Sequence, residues 1–130
     1  MNASILIVDD EKATAWALAQ GLADEGYIVS TVGRGEDAIR LAERQQYQLV
    51  ITDVRLPDID GVALARHLTQ KDPNLPIILI TAYDTPDLMD EAERAGACDV
   101  FPKPFRLDDI KASVRRALTG GTGQEIDRAA

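Results

Sequence analysis

The sequence predicts an α/β protein with a doubly wound parallel sheet, and three observations support this prediction. Short β-branched runs alternate with helical stretches five times along the chain. Three of the runs, Ile5–Val8, Leu49–Ile51 and Ile77–Ile80, are almost continuously apolar, which is typical of parallel strands covered by helices on both faces. The 130 residues, 45% of them hydrophobic, supply enough apolar material for one core. We therefore expect one domain of five βα units.

The individual elements follow in chain order from their patterns. Aliphatic and β-branched runs predict strands near Ser4–Asp9, Tyr27–Val32, Gln48–Asp53, Ile77–Thr81 and Asp99–Phe101. Helical periodicity predicts helices near Lys12–Glu25, Gly35–Gln45, Gly61–Lys71, Pro86–Ala95 and Leu107–Leu118. The first and fifth helices carry clear apolar stripes among charged residues, namely Ala15, Leu18, Ala19 and Leu22, and Ile110, Val114, Ala117 and Leu118. Both helices are expected to cover the sheet.

Topology rules predict the strand order 2-1-3-4-5, which is flavodoxin-like. Right-handed crossovers leave few orders for five parallel strands, and this one places the first and third strands side by side at the switch point. Ligands of such sheets bind in the crevice at the carboxyl ends of these strands. A binding site is therefore expected where the first and third strands end.

Three carboxylates fall at these strand ends. Asp9 and Asp10 follow the first apolar strand, and Asp53 ends the third. Clustered carboxylates raise one another's pKa unless a cation that prefers oxygen ligands lies between them, so the cluster indicates bound Mg²⁺. Lys103, after the fifth strand, would add a second cationic group. A divalent cation and a lysine together are suited to a phosphoryl group.

The charge balance excludes some classes of partner. A net charge of −8 and a pI of about 4.5 argue against direct binding to nucleic acid or to an anionic membrane. The single cysteine, Cys98, cannot form an internal disulfide, and the N-terminal residues carry no targeting pattern, so a cytoplasmic location is expected. Residues 1–119 are expected to form the domain. The glycine-rich residues 120–130 are expected to be a flexible tail or the start of a linker.

Four short motifs resemble the signatures of the receiver domain of two-component response regulators. They are Val-Asp-Asp-Glu at 8–11, Asp-Val-Arg-Leu-Pro-Asp-Ile-Asp-Gly at 53–61, Ile-Thr-Ala-Tyr at 80–83 and Phe-Pro-Lys-Pro-Phe at 101–105. The resemblance covers about residues 4 to 118 and is specific through the order and spacing of the motifs. The chain is most similar to receivers attached to enhancer-binding transcription activators. The resemblance implies a phosphoacceptor signalling domain of a two-component system.

The resemblance also implies a role for each acidic residue. Asp53 would be the phosphoacceptor, whose carboxylate attacks a phosphohistidine to form an acyl phosphate. Asp10 and Asp53 would bind Mg²⁺ directly together with the backbone carbonyl of Arg55, and Asp9 would act through a bound water. An alternative role for the acids is helix capping, since an aspartate before a helix accepts hydrogen bonds from free N–H groups.

Thr81 and Lys103 would complete the site by contacting the phosphoryl oxygens. Lys103 lies between two prolines, and the Lys103–Pro104 bond is expected to be cis. The chain would act as a phosphoacceptor in its own phosphoryl transfer, with autodephosphorylation as an option, and not as an enzyme on other substrates. Its expected partners are a sensor histidine kinase or phosphotransfer protein, an output domain or target protein, and a second copy through the fourth helix, fifth strand and fifth helix.

One position departs from the family pattern. Receivers commonly place Tyr or Phe three residues before the lysine, where this chain has Val100. Phe101 follows it, but successive strand side chains face opposite sides of a sheet, so Phe101 is expected to pack away from that position. We therefore expect activation to move Thr81 and the loop after the fourth strand without a ring flip, and to alter the surface of the fourth helix, fifth strand and fifth helix.

Two alternative functions stay open on the sequence. Gly33, Gly35 and Ala38 fit the pattern G-x-G-x-x-A between a strand and a helix, with an aspartate about twenty residues later, so a dinucleotide-binding half-domain is one competitor. A receiver fold that works by protein contacts alone, as a phosphorylation-independent adaptor, is the other. Two single residues are not assigned to the site: His67 is expected at the surface, and Trp16 is expected to be half exposed.

Overall fold

A five-stranded parallel sheet is the frame of the molecule in the computed structural model, which describes residues 2–83 and 85–119. The strands are β1 (Ser4–Val8), β2 (Ile28–Val32), β3 (Leu49–Asp53), β4 (Ile77–Thr81) and β5 (Ala97–Pro102). The helices are α1 (Lys12–Asp24), α2 (Gly35–Arg44), α3 (Gly61–Lys71), α4 (Pro86–Arg94) and α5 (Leu107–Thr119). Every predicted element is present, and the largest difference at a boundary is the start of β5 at Ala97 instead of Asp99.

The observed strand order is β2-β1-β3-β4-β5, which confirms the predicted topology. In the β1–β3 pair Ile5 lies opposite Leu49, and in the β3–β4 pair Asp53 lies opposite Ile80. The carboxyl ends of β1, β3 and β4 therefore meet at one edge of the sheet, as parallel pairing requires. This edge carries the acidic residues.

Two apolar clusters, one on each face of the sheet, form the core. The cluster on one face packs under α2, α3 and α4 and includes Leu6, Val50, Leu68, Leu79 and Leu88. The cluster on the other face packs under α1 and α5 and includes Ile7, Leu18, Ile51, Ile80 and Val114. All residues of β3 and β4 are buried, which explains why these strands are apolar at every position except their threonines and Asp53.

Two single residues differ from their expected environments. His67 on α3 is half-buried, not at the surface, and its Nε2 is buried without a hydrogen-bond partner in the described part of the chain. Trp16 on α1 is 66% exposed, more than expected. Trp16 lines a cleft together with Asp9 and Asp10, whereas His67 lines a separate one between α2 and α3. The sequence pattern missed the burial of His67 because it depends on how α2 packs beside α3.

Residues 120–130, expected to form a tail or linker, lie outside the described residues. The longest described helices, α1 and α5, have 13 residues each. None of the described helices has the length and apolarity that a bilayer crossing requires.

Candidate phosphorylation site

The end of β1 places two carboxylates in different environments. Asp9 is 3% exposed, and its Oδ1 accepts a hydrogen bond of 2.9 Å from the backbone N–H of Glu11. Asp10 is exposed. Glu11 is the N-cap residue of α1, but its side chain accepts from the Thr14 hydroxyl and caps no backbone N–H. The acids after β1 therefore do not serve α1 as side-chain caps.

The end of β3 holds Asp53 in a hydrogen-bonded turn. The Asp53 side chain is 10% exposed, and its Oδ1 accepts from the backbone N–H of Arg55 at 3.1 Å. The turn closes through a bond of 2.7 Å from the Gly61 N–H to the Val54 carbonyl. A Cβ at Gly61 would lie 2.0 Å from the Asp53 carbonyl oxygen, so only glycine allows α3 to begin this close to the strand end.

Lys103 joins the two acidic strand ends. Its Nζ lies 2.9 Å from Asp53 Oδ2 and 3.1 Å from Asp9 Oδ2. A third carboxylate, that of Glu11, lies 3.5 Å away but is largely exposed. The Lys103–Pro104 peptide bond is cis, the isomer expected from the sequence. One largely buried ionic group thus joins Lys103 to Asp9, 94 positions earlier in the chain, and to Asp53, 50 positions earlier.

The protonation equilibria of Lys103 and Asp9 reflect burial and pairing differently. Burial opposes the charge on Lys103, but its hydrogen bonds to Asp53 and Asp9 outweigh this effect, so its pKa lies well above the ordinary value. Burial raises the pKa of Asp9 above 3.8, and the bonds from the Glu11 N–H and from Lys103 only partly oppose the increase. Lys103 is therefore held as a cation, while burial disfavours the ionised form of Asp9, an effect that an additional cation would oppose.

A group of three carboxylates has the chemistry of a magnesium site. One oxygen from each of Asp9, Asp10 and Asp53 lies within 4.8 Å of the others. Mg²⁺ prefers such oxygen ligands and usually keeps several waters, which suits a cluster of which one member, Asp10, is exposed. Lys103 bonds two of the three carboxylates but supplies only one positive charge, so a divalent cation would offset negative charge that the lysine leaves unbalanced.

Thr81 lies at the same edge, fully buried at the end of β4. Its carbonyl accepts a bond of 2.7 Å from the Lys103 N–H, and its hydroxyl oxygen accepts one of 2.9 Å from the Tyr83 N–H. The main chain of Thr81 is thus tied to the loop that carries Lys103. Its side chain is tied to the loop between β4 and α4.

Val100 and Phe101 lie on opposite faces of β5. Val100 packs beside the cluster under α2, α3 and α4, and Phe101 packs beside the cluster under α1 and α5. Both side chains are half-buried. Phe101 therefore does not occupy the face on which the family's aromatic residue is expected.

One contact near the acceptor was not predicted. The guanidinium carbon of Arg55 lies 3.9 Å from the centroid of the Tyr83 ring, so the loops after β3 and β4 are joined by a cation–π contact. The two residues are 28 positions apart in the sequence, and no local pattern pairs them. The family resemblance implied a role only for the backbone carbonyl of Arg55.

The start of α2 does not fit dinucleotide binding. The Asp58 carboxylate accepts hydrogen bonds of 2.9 Å from the N–H groups of Gly35 and Glu36. The bond from Glu36, and to a lesser extent that from Gly35, lowers the pKa of Asp58. A pyrophosphate would need these same N–H groups. The helix also follows β2, at the edge of the sheet, and not at the switch point. Gly35 is thus accounted for by the contact between α2 and the loop after β3, where a Cβ would lie 1.9 Å from the Ile59 side chain.

Comparison with known proteins identifies a family. The profile of the response regulator receiver domain matches residues 5–115. Sporulation initiation phosphotransferase F of Bacillus subtilis is 32% identical over 118 residues, which are 91% of this chain and 95% of that protein. The DNA-binding transcriptional regulator NtrC of Escherichia coli is 33% identical over 124 residues, 95% of this chain but only 26% of that protein. The chain thus spans about a quarter of the length of its NtrC relatives.

Solved structures give the same result. A CheY-like receiver domain protein from Methanospirillum hungatei superposes with a TM-score of 0.90 and 26% identity, over 95% of this chain and 99% of that chain. A BeF3-activated receiver domain of DrrB superposes with a TM-score of 0.85 and 30% identity, over 91% and 98% of the two chains. Both comparisons extend over nearly the whole described fold.

Proposed function

The chain belongs to the family of response regulator receiver domains, and on this premise we propose that Asp53 is its phosphoacceptor. The observation that carries the proposal is the position of the Asp53 carboxylate, which one backbone N–H and the Lys103 ammonium hold at the switch point of the sheet. A carboxylate fixed by two donors at 2.9 and 3.1 Å is oriented for attack on an electrophile that enters from solvent. The donor of the phosphoryl group would be a phosphohistidine of a sensor kinase or of a phosphotransfer protein.

We infer that Asp10 and Asp53, with the Arg55 carbonyl, hold Mg²⁺ and that Asp9 acts through a water. The proximity of the three carboxylates supports this assignment. When bound, the ion neutralises charge on the phosphoryl oxygens and so lowers the electrostatic barrier to attack by an anion. The raised pKa of Asp9 supports the same assignment, because an additional cation would favour the ionised form of this residue.

The transfer forms one bond and breaks another. An oxygen of Asp53 forms the new O–P bond, the N–P bond of the phosphohistidine breaks, and its electron pair returns to the imidazole nitrogen, which takes up a proton. Lys103, already 2.9 Å from Asp53 Oδ2, would shift its hydrogen bond to a phosphoryl oxygen. Thr81 would donate its hydroxyl to another phosphoryl oxygen. Hydrolysis of the acyl phosphate in the same site would reverse the signal.

The switch begins at Thr81. The hydroxyl oxygen now accepts from the Tyr83 N–H, and turning the hydroxyl toward a phosphoryl group would break this bond and release the loop between β4 and α4. Since Val100 is small and Phe101 packs on the opposite face, we propose that the surface of α4, β5 and α5 changes without an aromatic ring flip. NMR of the BeF3-activated protein tests this, and a Phe101 ring that moves between buried and exposed positions would contradict it.

The domain and partner assignments follow from the family. We propose that residues 1–119 form the receiver unit and that the α4-β5-α5 surface contacts an output domain, a target protein or a second copy. The net charge of −8 supports indirect action on nucleic acid, through such a partner, because the chain offers an excess of acidic groups. The NtrC relatives are DNA-binding regulators about four times as long as the matched region.

Intact-mass analysis tests the central proposal. The purified chain is incubated with Mg²⁺ and acetyl phosphate, beside an Asp53→Asn variant and an EDTA control. We expect a phosphoryl adduct on the wild type that is absent from the variant and from the chelated sample. An adduct of equal yield on Asp53→Asn would move the acceptor elsewhere, and no adduct on the folded wild type would favour the phosphorylation-independent adaptor.

A further inference from the structure

β2 leaves one side of its backbone without a partner. It is the terminal strand of the sheet and pairs only with β1. The Ile28 N–H donates to the Ala3 carbonyl, and the Val32 carbonyl accepts from the Asp9 N–H. The even-numbered residues of β2 therefore direct their backbone groups toward β1. Because these groups alternate along a parallel strand, those of Val29 and Thr31 point away from the sheet. Within residues 2–83 and 85–119, no hydrogen bond to them is present.

The sequence of this edge lacks the usual protection. Ile28–Val32 reads Ile-Val-Ser-Thr-Val, with four β-branched residues and neither a charge nor a proline. Ile28 is 55% exposed. The opposite edge, β5, contains Asp99, which bonds the Ser113 hydroxyl at 2.7 Å, and ends at Pro102. Proteins normally block a free edge with charges or prolines, and only β5 does so here.

We propose that the free edge of β2 pairs with β2 of a second copy, in antiparallel orientation about a two-fold axis at Ser30. In this register Val29 of each copy lies opposite Thr31 of the other, so both pairs exchange N–H and C=O groups and four hydrogen bonds form. Ile28 of each copy lies opposite Val32 of the other on one face. The strand is thus complementary to itself in backbone groups and in side chains, and no charge in it opposes the pairing.

The expected association is weak and depends on salt. An edge of five residues buries less surface than the roughly 800 Å² per partner of a standard interface. The net charge of −8 on each copy opposes association, and salt screens this repulsion. The dimer should therefore strengthen as ionic strength rises. Since β2 and the α4-β5-α5 surface lie at opposite ends of the sheet, phosphorylation should leave the association unchanged.

Sedimentation velocity over a concentration series tests the pairing with the variants Thr31→Pro and Thr31→Ala. Proline removes the outward N–H without removing a bond within the sheet, whereas alanine retains this N–H. We expect the wild type and Thr31→Ala to dimerise with a dissociation constant below about 1 mM and Thr31→Pro to remain monomeric. A monomeric wild type up to this concentration, or equal association of all three proteins, would overturn the proposal.

A disulfide experiment tests the register without a proline. Ser30→Cys in a Cys98→Ser background places a cysteine next to the two-fold axis, opposite the same cysteine of the second copy. These two residues form a pair without mutual hydrogen bonds, in which the Cα atoms lie about 4.5 Å apart. A disulfide can bridge this distance. We expect mild oxidation to give a covalent dimer well above the yield of a Gln20→Cys control on the exposed face of α1. Equal yields from the two cysteine variants would show that β2 is not paired in this register.

Discussion

Lys103 is the residue on which the electrostatics of the site depends. Its side chain is 16% exposed and bonds two carboxylates whose side chains are 0% and 10% exposed. Removing the partner of a buried charge reduces the free energy of unfolding far more than removing the partner of a surface charge. The ion pair therefore maintains the structure of the site as well as its charge.

Lys103→Ala is expected to reduce the free energy of unfolding by about 3 kcal/mol, because it leaves Asp9 and Asp53 unpaired. Urea unfolding in EDTA measures this loss, and added Mg²⁺ should restore part of it. The matched control is Lys71→Ala, whose pair with Glu43 is exposed on both sides and should contribute less than about 1 kcal/mol. Equal losses in the two variants would contradict a structural role for the buried pair.

Asp9 makes the metal-free protein sensitive to pH. Its pKa in the folded state is raised above 3.8, mainly by burial, so the folded state binds the proton more tightly than the unfolded state does. The resulting contribution to stability is present below pH 3.8 and is lost as pH rises through the folded-state pKa. In EDTA, the free energy of unfolding of the wild type should fall relative to Asp9→Asn over this range. Parallel pH profiles for the two proteins would be inconsistent with this assignment.

At the scale of elements, the junction of β3 and α3 fixes the acceptor. Asp60 caps α3 by accepting a bond of 2.7 Å from the Val62 N–H, and Arg55 and Asp60 form an isolated antiparallel bridge across the loop. Gly61 then packs against the backbone of Asp53. The position of the acceptor is therefore set by how α3 begins.

Gly61→Ala should destabilise the fold by about 1–3 kcal/mol and slow phosphorylation, because the new Cβ would press on the backbone of Asp53 and Val54. Gly21→Ala is the matched control, since its Cβ would meet mainly the terminal methyl groups of Leu107, which can rotate away. Thermal unfolding and the rate of adduct formation with acetyl phosphate measure the two effects. An adduct rate for Gly61→Ala at the wild-type value would argue against close coupling.

The elements that could be predicted from the sequence are those with a strong local pattern. β1, β3 and β4 are almost continuously apolar because they are covered on both faces, so their positions and their parallel pairing can be predicted. β5 begins at Ala97, two residues before its predicted start. The prediction missed these two residues because Ala-Cys-Asp carries no strand pattern. Their pairing with β4 is also irregular, since the register shifts between Ile77 and Ile78.

The same distinction holds within the site. Asp9, Asp10 and Asp53 could be grouped from the sequence because parallel strands end at one edge of a sheet. Two contacts could not be predicted, the Asp58 cap on α2 and the stacking of Arg55 on Tyr83. Asp58 lies 23 positions from Gly35, and the direction of its side chain depends on how the loop after β3 packs. Such contacts have no local sequence signal.

For the whole molecule, Mg²⁺ should act as a stabilising ligand. A ligand that binds only the folded state adds about 1.4 kcal/mol at ten times its dissociation constant. Thermal unfolding should therefore shift to higher temperature with Mg²⁺ and return with EDTA. Asp10→Asn should reduce the shift without loss of the fold, because Asp10 is exposed and no hydrogen bond of its side chain supports the described structure. A full shift in Asp10→Asn would remove this residue from the ligand set.

The buried ion pairs of Lys103 also have a consequence for folding. They join residues 94 and 50 positions apart, linking the first strand, the third strand and the loop after the last strand. Contacts of such long sequence separation form late, after the intervening chain has been ordered. A ribosome-bound chain that has not yet released β5 would carry the acceptor without its lysine. Competence for phosphorylation would therefore arise only when synthesis and folding of the domain are essentially complete.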